Sequence, residues 1–269
     1  MNQVWADEGD KRVVHYPLMT SGPWPVVAIV AAYLYFVKVL GPQFMYTRPP
    51  MKIKDIMVTY NFTMVFLSGW MFIEGSYYLR FGYDTWGCPR PDYSADAPET
   101  RRFIFVAWLF FFSKIIELAD TIFMILRKKF EQITTLHVTH HSIVPFSVWL
   151  GLKFAPIGSN SWFPLMNSFV HTIMYLYFGL MALGDSLSPK RMAQLRIYKP
   201  WITRLQIAQF SVAILHCIIA SIQTNCYFPR TFFILNGGNA VLFLGLFFNF
   251  YLEAYTFRKY DETPNKKKI

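Results

Sequence analysis

The sequence has little charge and little cysteine. Only 16% of its 269 residues are Asp, Glu, Lys or Arg, and three are cysteines. So few cysteines exclude a small scaffold held together by disulfides. No long polar linker divides the chain, so we expect a single domain. The polar first 21 residues show no positively charged segment followed by a cleavage site, and we therefore expect no removable signal peptide.

Apolar and aromatic residues take the place of the missing charge. They make up 54% and 19% of the chain, respectively, and apolar runs of about 20 residues, the length needed to cross hydrocarbon, recur along it. The predicted fold class is therefore an all-α polytopic membrane protein. We count seven transmembrane helices, at about 23–40, 56–79, 102–126, 136–152, 162–183, 201–222 and 231–255.

Basic residues are concentrated in alternate loops between these runs. The formal net charge of +10 could indicate nucleic-acid binding, but this placement favours membrane topology and anionic ligands, and we expect no nucleic acid partner. Basic loops favour the cytosol, so we expect the N-terminus in the lumen and the C-terminus in the cytosol. The predicted layout is a lumenal tail at 1–22, one seven-span membrane domain at 23–255 and a basic cytosolic tail at 256–269.

Two further features agree with this orientation. Lys266 and Lys267 lie four and three residues from the end, as in the dilysine retrieval signal of endoplasmic reticulum membrane proteins, which is read in the cytosol; a solvated basic tail is the alternative. Cys88 and Cys226 fall in loops assigned to the oxidising lumen, where a disulfide between them is plausible, the alternative being two free thiols. Cys217 lies within the sixth span and is expected in the core.

Three of the six histidines lie within five residues, at His137, His140 and His141. Positions i, i+3 and i+4 share one face of a helix. The residues that follow are apolar enough to enter a bilayer. Imidazoles are costly in a bilayer, and ionisable residues there usually mark a functional site. We therefore expect this cluster to be the centre of the protein's chemistry.

Other predicted spans carry polar residues that could serve the same centre. In the third span Lys114, Glu117 and Thr121 share a face, with Asp120 beside them. They form either a network that fixes helix packing or a set of carboxylates that orients the imidazoles. The fifth span adds Asn167, His171 and Tyr175. Gln206 and Gln209 in the sixth either bond between helices or face a polar substrate.

Two kinds of catalysis and one non-enzymatic function could use these residues. His-x-x-His-His resembles a histidine box of membrane diiron desaturases and hydroxylases, but six histidines are too few for a dinuclear site; a mononuclear site stays open. A neutral imidazole can instead attack a thioester and carry the acyl group, with a second imidazole as base or oxyanion donor. A seven-helix receptor or channel, with histidines as pH sensors or ligand contacts, is the non-enzymatic alternative.

The motifs resemble those of fatty acid elongases of the animal very-long-chain type. Lys-x-x-Glu-Leu-x-Asp-Thr with Leu-Arg-Lys-Lys matches 114–129, His-x-x-His-His matches 137–141, and Thr-x-x-Gln-x-x-Gln matches 203–209. Asn-x-x-x-His-x-x-Met-Tyr-x-Tyr matches 167–177, although Phe178 replaces the Tyr that ends this motif in the family. The similarity covers about residues 25–260 in order.

The resemblance implies a 3-ketoacyl-CoA synthase. This enzyme joins an acyl-CoA to malonyl-CoA, releases CoA and carbon dioxide, and yields a 3-oxoacyl-CoA two carbons longer. It implies that spans two to seven form a helical barrel around an acyl tunnel, with span one outside. It implies that the reaction needs only its two substrates, acyl-CoA and malonyl-CoA, with no cofactor and no metal. A homodimer, and association with the reductase and dehydratase of the elongation cycle, are expected on the same ground.

The resemblance also implies roles for the residues singled out above. His140 is the nucleophile that accepts the acyl group, and His171 is its partner. His137 and His141 position and tune the pair. The residues expected to orient this centre are Lys114, Glu117, Asp120, Asn167, Tyr175, Gln206 and Gln209.

The phosphates of CoA should remain at the cytosolic mouth. Arg and Lys pair with phosphate, and a set of basic residues is predicted at that mouth, although ordinary positive-inside charge explains them equally well. This set comprises Arg127, Lys128, Lys129, Lys190, Arg191, Arg196 and Lys199.

Overall fold

The computed structural model describes Trp5 and residues 8–86, 97–223 and 228–257. Within these residues every regular element is helical. A π-helical stretch, Phe36–Leu40, lies inside the first long helix, and another, Leu252–Phe257, continues the last one. The α-helices are α1 (Trp24–Met45), α2 (Lys54–Tyr78), α3 (Pro98–Ile116), α4 (Ala119–Leu126), α5 (Thr135–Phe154), α6 (Trp162–Leu183), α7 (Pro189–Ser221) and α8 (Arg230–Tyr251).

Five of the described helices are long and apolar enough to cross a membrane: α1, α2, α6, α7 and α8. The predicted third span is not one continuous helix. It breaks at Glu117–Leu118, where Leu118 N donates to Ile115 O at 3.3 Å in a tight turn. This break leaves α4 with only eight residues. The predicted fourth span, α5, carries the three clustered histidines and Lys153, which lower its apolar character.

The sixth predicted span also differs from the helix observed. The prediction started it at about residue 201, whereas α7 begins at Pro189. Ser188 caps this helix by accepting a hydrogen bond from Arg191 N at 3.4 Å. Pro200 lies inside this helix. The basic residues at 190–199 therefore lie on the first turns of a helix, where they are exposed, and not in a loop.

The long helices pack side by side. α2 packs against α3 and α6, α3 packs against α5, α5 packs against α8, and α7 packs against α8 and α6. α1 contacts α5 through Trp24–Tyr35 and contacts α4 through its C-terminal half. Buried aromatic and aliphatic side chains such as Phe111, Trp149 and Leu165 form the largest apolar cluster between them.

The segment before α1, predicted as a polar tail, packs against the protein from residue 8 onward. Val13 and Met19 are fully buried in the same apolar cluster. Lys153, at the end of α5, is also fully buried and donates from Nζ to Met19 O at 2.8 Å. Trp149 Nε1 donates to Leu18 O at 2.9 Å. The segment is thus held over the C-terminal end of α5 by hydrogen bonds from two buried side chains.

Two sets of hydrogen bonds identify the opposite ends of the helix assembly. At one end Lys54 Nζ donates to Ser186 Oγ at 2.6 Å, joining the start of α2 to the turn between α6 and α7. At the other end His216 Nε2 donates to Thr85 O at 3.2 Å, and Gln223 Nε2 donates to the main-chain oxygen of Trp86 at 2.8 Å. The end of α7 is therefore tied to the turn that follows α2.

These contacts bear on the predicted disulfide. Cys88 and Cys226 themselves lie outside the described residues. Trp86 precedes Cys88 by two residues and Gln223 precedes Cys226 by three, and each residue of chain reaches at most about 3.6 Å. The hydrogen bond between Gln223 and Trp86 places the described ends of these two loops side by side, and the pairing of the two thiols stays a prediction.

Thiol counting tests this prediction. After denaturation without reductant, a maleimide should label one thiol, Cys217, which is buried and free in the fold; with reductant it should label all three. Replacing Cys88 by Ser should lower the free energy of unfolding by about 2–4 kcal/mol, the usual contribution of a disulfide that closes a long loop. Cys217→Ser is the matched control. Three thiols labelled without reductant would contradict the pairing.

Candidate active site

The clustered histidines all lie on the first two turns of α5. Thr134 caps this helix, its hydroxyl accepting from His137 N at 3.2 Å. The rings of His137 and His141 are 4.4 Å apart between centroids, and those of His140 and His141 are 5.2 Å apart. The i, i+3, i+4 spacing therefore gives a continuous row of three imidazoles, as the sequence predicted.

A buried ion pair lies beside this row, at the break between α3 and α4. Lys114 Nζ is 2.6 Å from Glu117 Oε1, and both side chains are 2–3% exposed. Lys114 Nζ also donates to Asn167 Oδ1 of α6 at 2.8 Å. Buried charges persist only when they are paired and hydrogen-bonded, and this pair meets both requirements.

The ion pair fixes the fourth imidazole. Glu117 Oε1 lies 3.2 Å from His171 Nδ1, and Lys114 Nζ lies 3.4 Å from the same nitrogen. Glu117 can only accept a hydrogen bond from Nδ1, and Lys114 can only donate one to it, so these two contacts fix the position of the ring but not its tautomer. The buried ion pair thus holds His171 at the break between α3 and α4.

Asp120 contacts a phenol and not an imidazole. Its Oδ2 accepts from Tyr175 Oη at 2.8 Å. The ring of Tyr175 lies 5.7 Å from that of His171 and is almost fully buried. Of the two carboxylates expected to orient histidines, Glu117 does so directly, whereas Asp120 is linked to His171 only through this tyrosine.

The structure adds Tyr33, which the sequence analysis did not select, and connects it through Thr121 to the histidine row. Thr121 Oγ1 is 2.8 Å from His137 Nε2 and 2.9 Å from the hydroxyl of Tyr33. Tyr33 belongs to α1, the helix expected to lie outside the barrel. Only 6% of the surface of Tyr33 is exposed. The sequence hinted at this contact only through the hydroxyl of Tyr33 within an apolar run.

A cavity of about 130 Å³ opens beside His140. His140 is the one residue of the four predicted catalytic histidines that lines it. Phe243 of α8 also lines the cavity and packs against His140, with 5.1 Å between the two ring centroids. Gln209 and Asn167 also line the cavity, whereas Gln206 lies near Met174, with its Nε2 3.5 Å from the sulfur.

Asn236 lies seven residues, or about two turns of α8, before Phe243, the ring that contacts His140, so we take it to mark the far end of the cavity, where the lining is polar. Asn236 Nδ2 donates to Asn160 Oδ1 at 2.7 Å, and Asn239 Nδ2 donates to Ser147 Oγ at 3.0 Å. Between this end and His140 the lining is mostly apolar. Asn236 and Asn239 carried a weak signal in the sequence as polar residues of an apolar span, and nothing in the sequence distinguished Asn160 or Ser147. The walls at this apolar level include Ala107, Phe110, Val144, Val148, Phe210, Ala213 and Ala240.

The predicted phosphate-binding residues gather at one end of the molecule. Arg127, directly after α4, is exposed, and its Nη1 lies 3.4 Å from the sulfur of Met57 in α2. Lys128 Nζ donates to Tyr46 O at 3.4 Å. Since Lys54 is bonded to Ser186, the basic start of α7 lies at this same end. Lys129, Lys190, Arg191, Arg196 and Lys199 are all exposed.

The described residues contain no group of three His, Cys, Asp or Glu side chains placed to hold a metal ion. Fold and site together define a class: a multi-pass helical membrane protein with imidazoles in its interior, one of which opens onto an apolar cavity.

Comparison with known sequences identifies the family. The profile of the ELO family, described as the GNS1/SUR4 family, matches residues 18–263. Human very long chain fatty acid elongase 1 is 41% identical over 251 residues, 92% of this chain and 86% of the relative. Drosophila melanogaster very long chain fatty acid elongase 7 is 38% identical over 265 residues, 94% of this chain and 76% of the relative. A very long chain fatty acid elongase of Aedes aegypti is 39% identical over 248 residues, 92% and 67% of the two chains. The chain belongs to the ELO family, which confirms the resemblance in its motifs.

Proposed function

We propose that the protein is the condensing enzyme of fatty acid elongation, a very-long-chain 3-oxoacyl-CoA synthase. Family membership supports fatty acid elongation with an acyl substrate in a membrane setting. The observation that carries the finer assignment is the position of His140. Its imidazole lies at the wall of a mostly apolar cavity, where a thioester bound with its tail in the cavity would come within its reach.

The reaction divides into two half-reactions that conserve all atoms. A ring nitrogen of His140 attacks the carbonyl carbon of acyl-CoA; the C–S bond breaks, and CoA leaves as the thiol with the proton that the imidazole gives up. The product is an acyl-imidazole. Malonyl-CoA then loses carbon dioxide, and the resulting enolate carbon attacks the acyl carbon. The C–N bond breaks, and the departing imidazolate takes up one proton from water, which restores His140 and releases 3-oxoacyl-CoA.

The neighbouring residues have defined tasks in this scheme. His171, held by Glu117, relays the proton from His140 to the departing CoA thiolate, or steadies the enolate. Lys114 keeps Glu117 ionised and Asn167 keeps Lys114 in place. His137 and His141 hold the ring of His140 in position. The condensation is redox-neutral, so it needs no oxidant or reductant.

The arrangement of the helices supports an acyl tunnel. Following the packed pairs from α2 through α3, α5, α8, α7 and α6 returns to α2, and the cavity is lined from α3, α5, α6, α7 and α8. We propose that these elements form a barrel and that α3–α4 and α5 cross the membrane with the five apolar helices, which makes seven passes. Each buried methylene of the acyl chain then contributes about 0.8 kcal/mol to binding.

The topology follows from the same scheme. The basic residues at 127–129 and 190–199, all exposed except the half-buried Lys128, favour a cytosolic position and the binding of CoA phosphates. We propose an endoplasmic reticulum location with the N-terminus in the lumen. Lys266 and Lys267 lie outside the described residues, and their role as a retrieval signal stays a prediction. Dimerisation, and association with the reductase and dehydratase, stay predictions as well.

The test is a reconstituted reaction. The purified protein in lipid nanodiscs is incubated with a long-chain acyl-CoA and malonyl-CoA labelled at carbon 2. We expect labelled 3-oxoacyl-CoA two carbons longer, with CoA and carbon dioxide in equal amounts. Activity that needs added iron and oxygen would instead favour a desaturase or hydroxylase. Binding of either substrate without turnover would favour a receptor or channel.

The polar end of the cavity predicts which residues limit product length. Asn236 and Asn160 join α8 to the turn before α6 and stand at the far end from His140. Asn236→Ala should remove this stop and shift the longest product by at least one two-carbon cycle. Ile234→Ala is the matched control, because Ile234 lies on the same helix and is 76% exposed. Products are measured by chain-length analysis after expression in cells that lack endogenous elongases. An unchanged distribution would place the end of the tunnel elsewhere.

A further inference from the structure

The first helix contributes a hydroxyl to the histidine row. Tyr33 of α1 packs with Val37 and with Leu118 and Ile125 of the α3–α4 region, so its ring is held by apolar contacts. Its hydroxyl lies 2.9 Å from Thr121 Oγ1, which lies 2.8 Å from His137 Nε2. The three groups therefore form a chain of hydrogen bonds that starts outside the packed ring of helices and ends on an imidazole.

Counting protons along this chain fixes its direction. The Tyr33 hydroxyl has one hydrogen-bond partner in the described part of the protein, Thr121. If Thr121 donated to Tyr33, the phenolic proton would be buried without an acceptor, which is costly. If Tyr33 donates to Thr121, then Thr121 is free to donate to His137 Nε2, and every proton is used.

We propose that Tyr33 is a positioning residue for the candidate active site, acting through Thr121 to hold His137 in the tautomer that carries its proton on Nδ1. A histidine tautomer is set by the partner of the opposite nitrogen. The ring of His137 lies 4.4 Å from that of His141, which lies 5.2 Å from that of His140. Turning or re-protonating His137 would therefore disturb the row that holds His140. The effect on catalysis rests on the proposed function, whereas the effect on the tautomer does not.

The primary test is spectroscopic. Long-range ¹H–¹⁵N correlation on protein labelled with ¹⁵N-histidine reports the tautomer of each imidazole, and the His137 signal is assigned by its loss in His137→Gln. In the wild type, Nε2 of His137 should appear as the unprotonated nitrogen. In Tyr33→Phe and in Thr121→Val it should shift toward the protonated form. A His137 signal identical in all three proteins would overturn the proposal.

Kinetics provide the second readout. Tyr33→Phe should lower kcat about tenfold, the factor that corresponds to one hydrogen bond, with KM for acyl-CoA changed less than about twofold. Thr121→Ser, which keeps the hydroxyl, should retain kcat. Tyr35→Phe is the matched control, since Tyr35 lies on the same helix and is 55% exposed. Equal losses in Tyr33→Phe and Tyr35→Phe, or a lower thermal midpoint that accounts for the loss, would also overturn it. A protein with no condensing activity but a shifted His137 signal would refute the proposed function and leave the positioning role intact.

Discussion

Replacing His140 by Ala should abolish condensation, lowering kcat by at least about 1,000-fold, as expected for loss of a nucleophile. His140 is the member of the imidazole row that lines the cavity, and the geometry offers the acyl group no second imidazole there. The rate of labelled 3-oxoacyl-CoA formation measures the loss. His15→Ala is the control for a histidine substitution, because His15 is exposed and lies in the segment before α1.

Intact mass spectrometry separates the nucleophile from its partner. With acyl-CoA alone, the wild type should gain the mass of one acyl group. His140→Ala should gain none. His171→Gln, which keeps a hydrogen bond to the Lys114–Glu117 pair but cannot take up a proton, should form the adduct slowly and fail to pass it to malonyl-CoA. An adduct that persists in His140→Ala would move the nucleophile to another residue.

Helical periodicity explains why much of the candidate site could be predicted from the sequence. The faces shared by His137, His140 and His141, and by Lys114 and Glu117, are local consequences of 3.6 residues per turn. Ionisable residues inside apolar spans need partners, so polar residues of the third and fifth spans were expected to serve one centre. In the structure, Lys114 donates to Asn167.

The contact that α1 makes with Thr121 could not be predicted from helical periodicity. Tyr33 meets Thr121 across 88 positions of sequence, and no periodic pattern within either helix indicates such a contact. The pairing of Asn160 with Asn236 is of the same kind. Which side chains close a cavity depends on how whole helices cross, and helix packing is set by many small contacts distributed over their surfaces.

The break between α3 and α4 shows a third limit. A hydropathy pattern averages over a window, so it described residues 102–126 as one span although the backbone turns tightly at Glu117–Leu118. Because the break lies between Lys114 and Asp120, the residues that meet α6 come from two separate helices rather than from one straight helix face.

The second large effect should come from the ion pair at that break. Lys114→Met keeps most of the side-chain volume but leaves Glu117 buried without its cation. Removing one partner of a buried pair costs about 3–5 kcal/mol, because the remaining charge is uncompensated. We therefore expect a large fall in the thermal unfolding midpoint in nanodiscs, read by intrinsic fluorescence, and a low yield of folded protein.

The double variant Lys114→Met/Glu117→Gln distinguishes this cause from simple loss of packing. Making both partners neutral removes the stranded charge, so the double variant should recover much of the stability lost in Lys114→Met, and the double-mutant cycle gives the coupling between the two residues. Arg102→Met is the matched control, since Arg102 pairs with Glu74 but is 67% exposed, and such surface pairs contribute at most about 1 kcal/mol. A double variant no more stable than Lys114→Met would mean that the lysine acts through packing alone. Activity should stay low in the recovered protein, because the double variant removes both charged groups that hold the His171 ring in place.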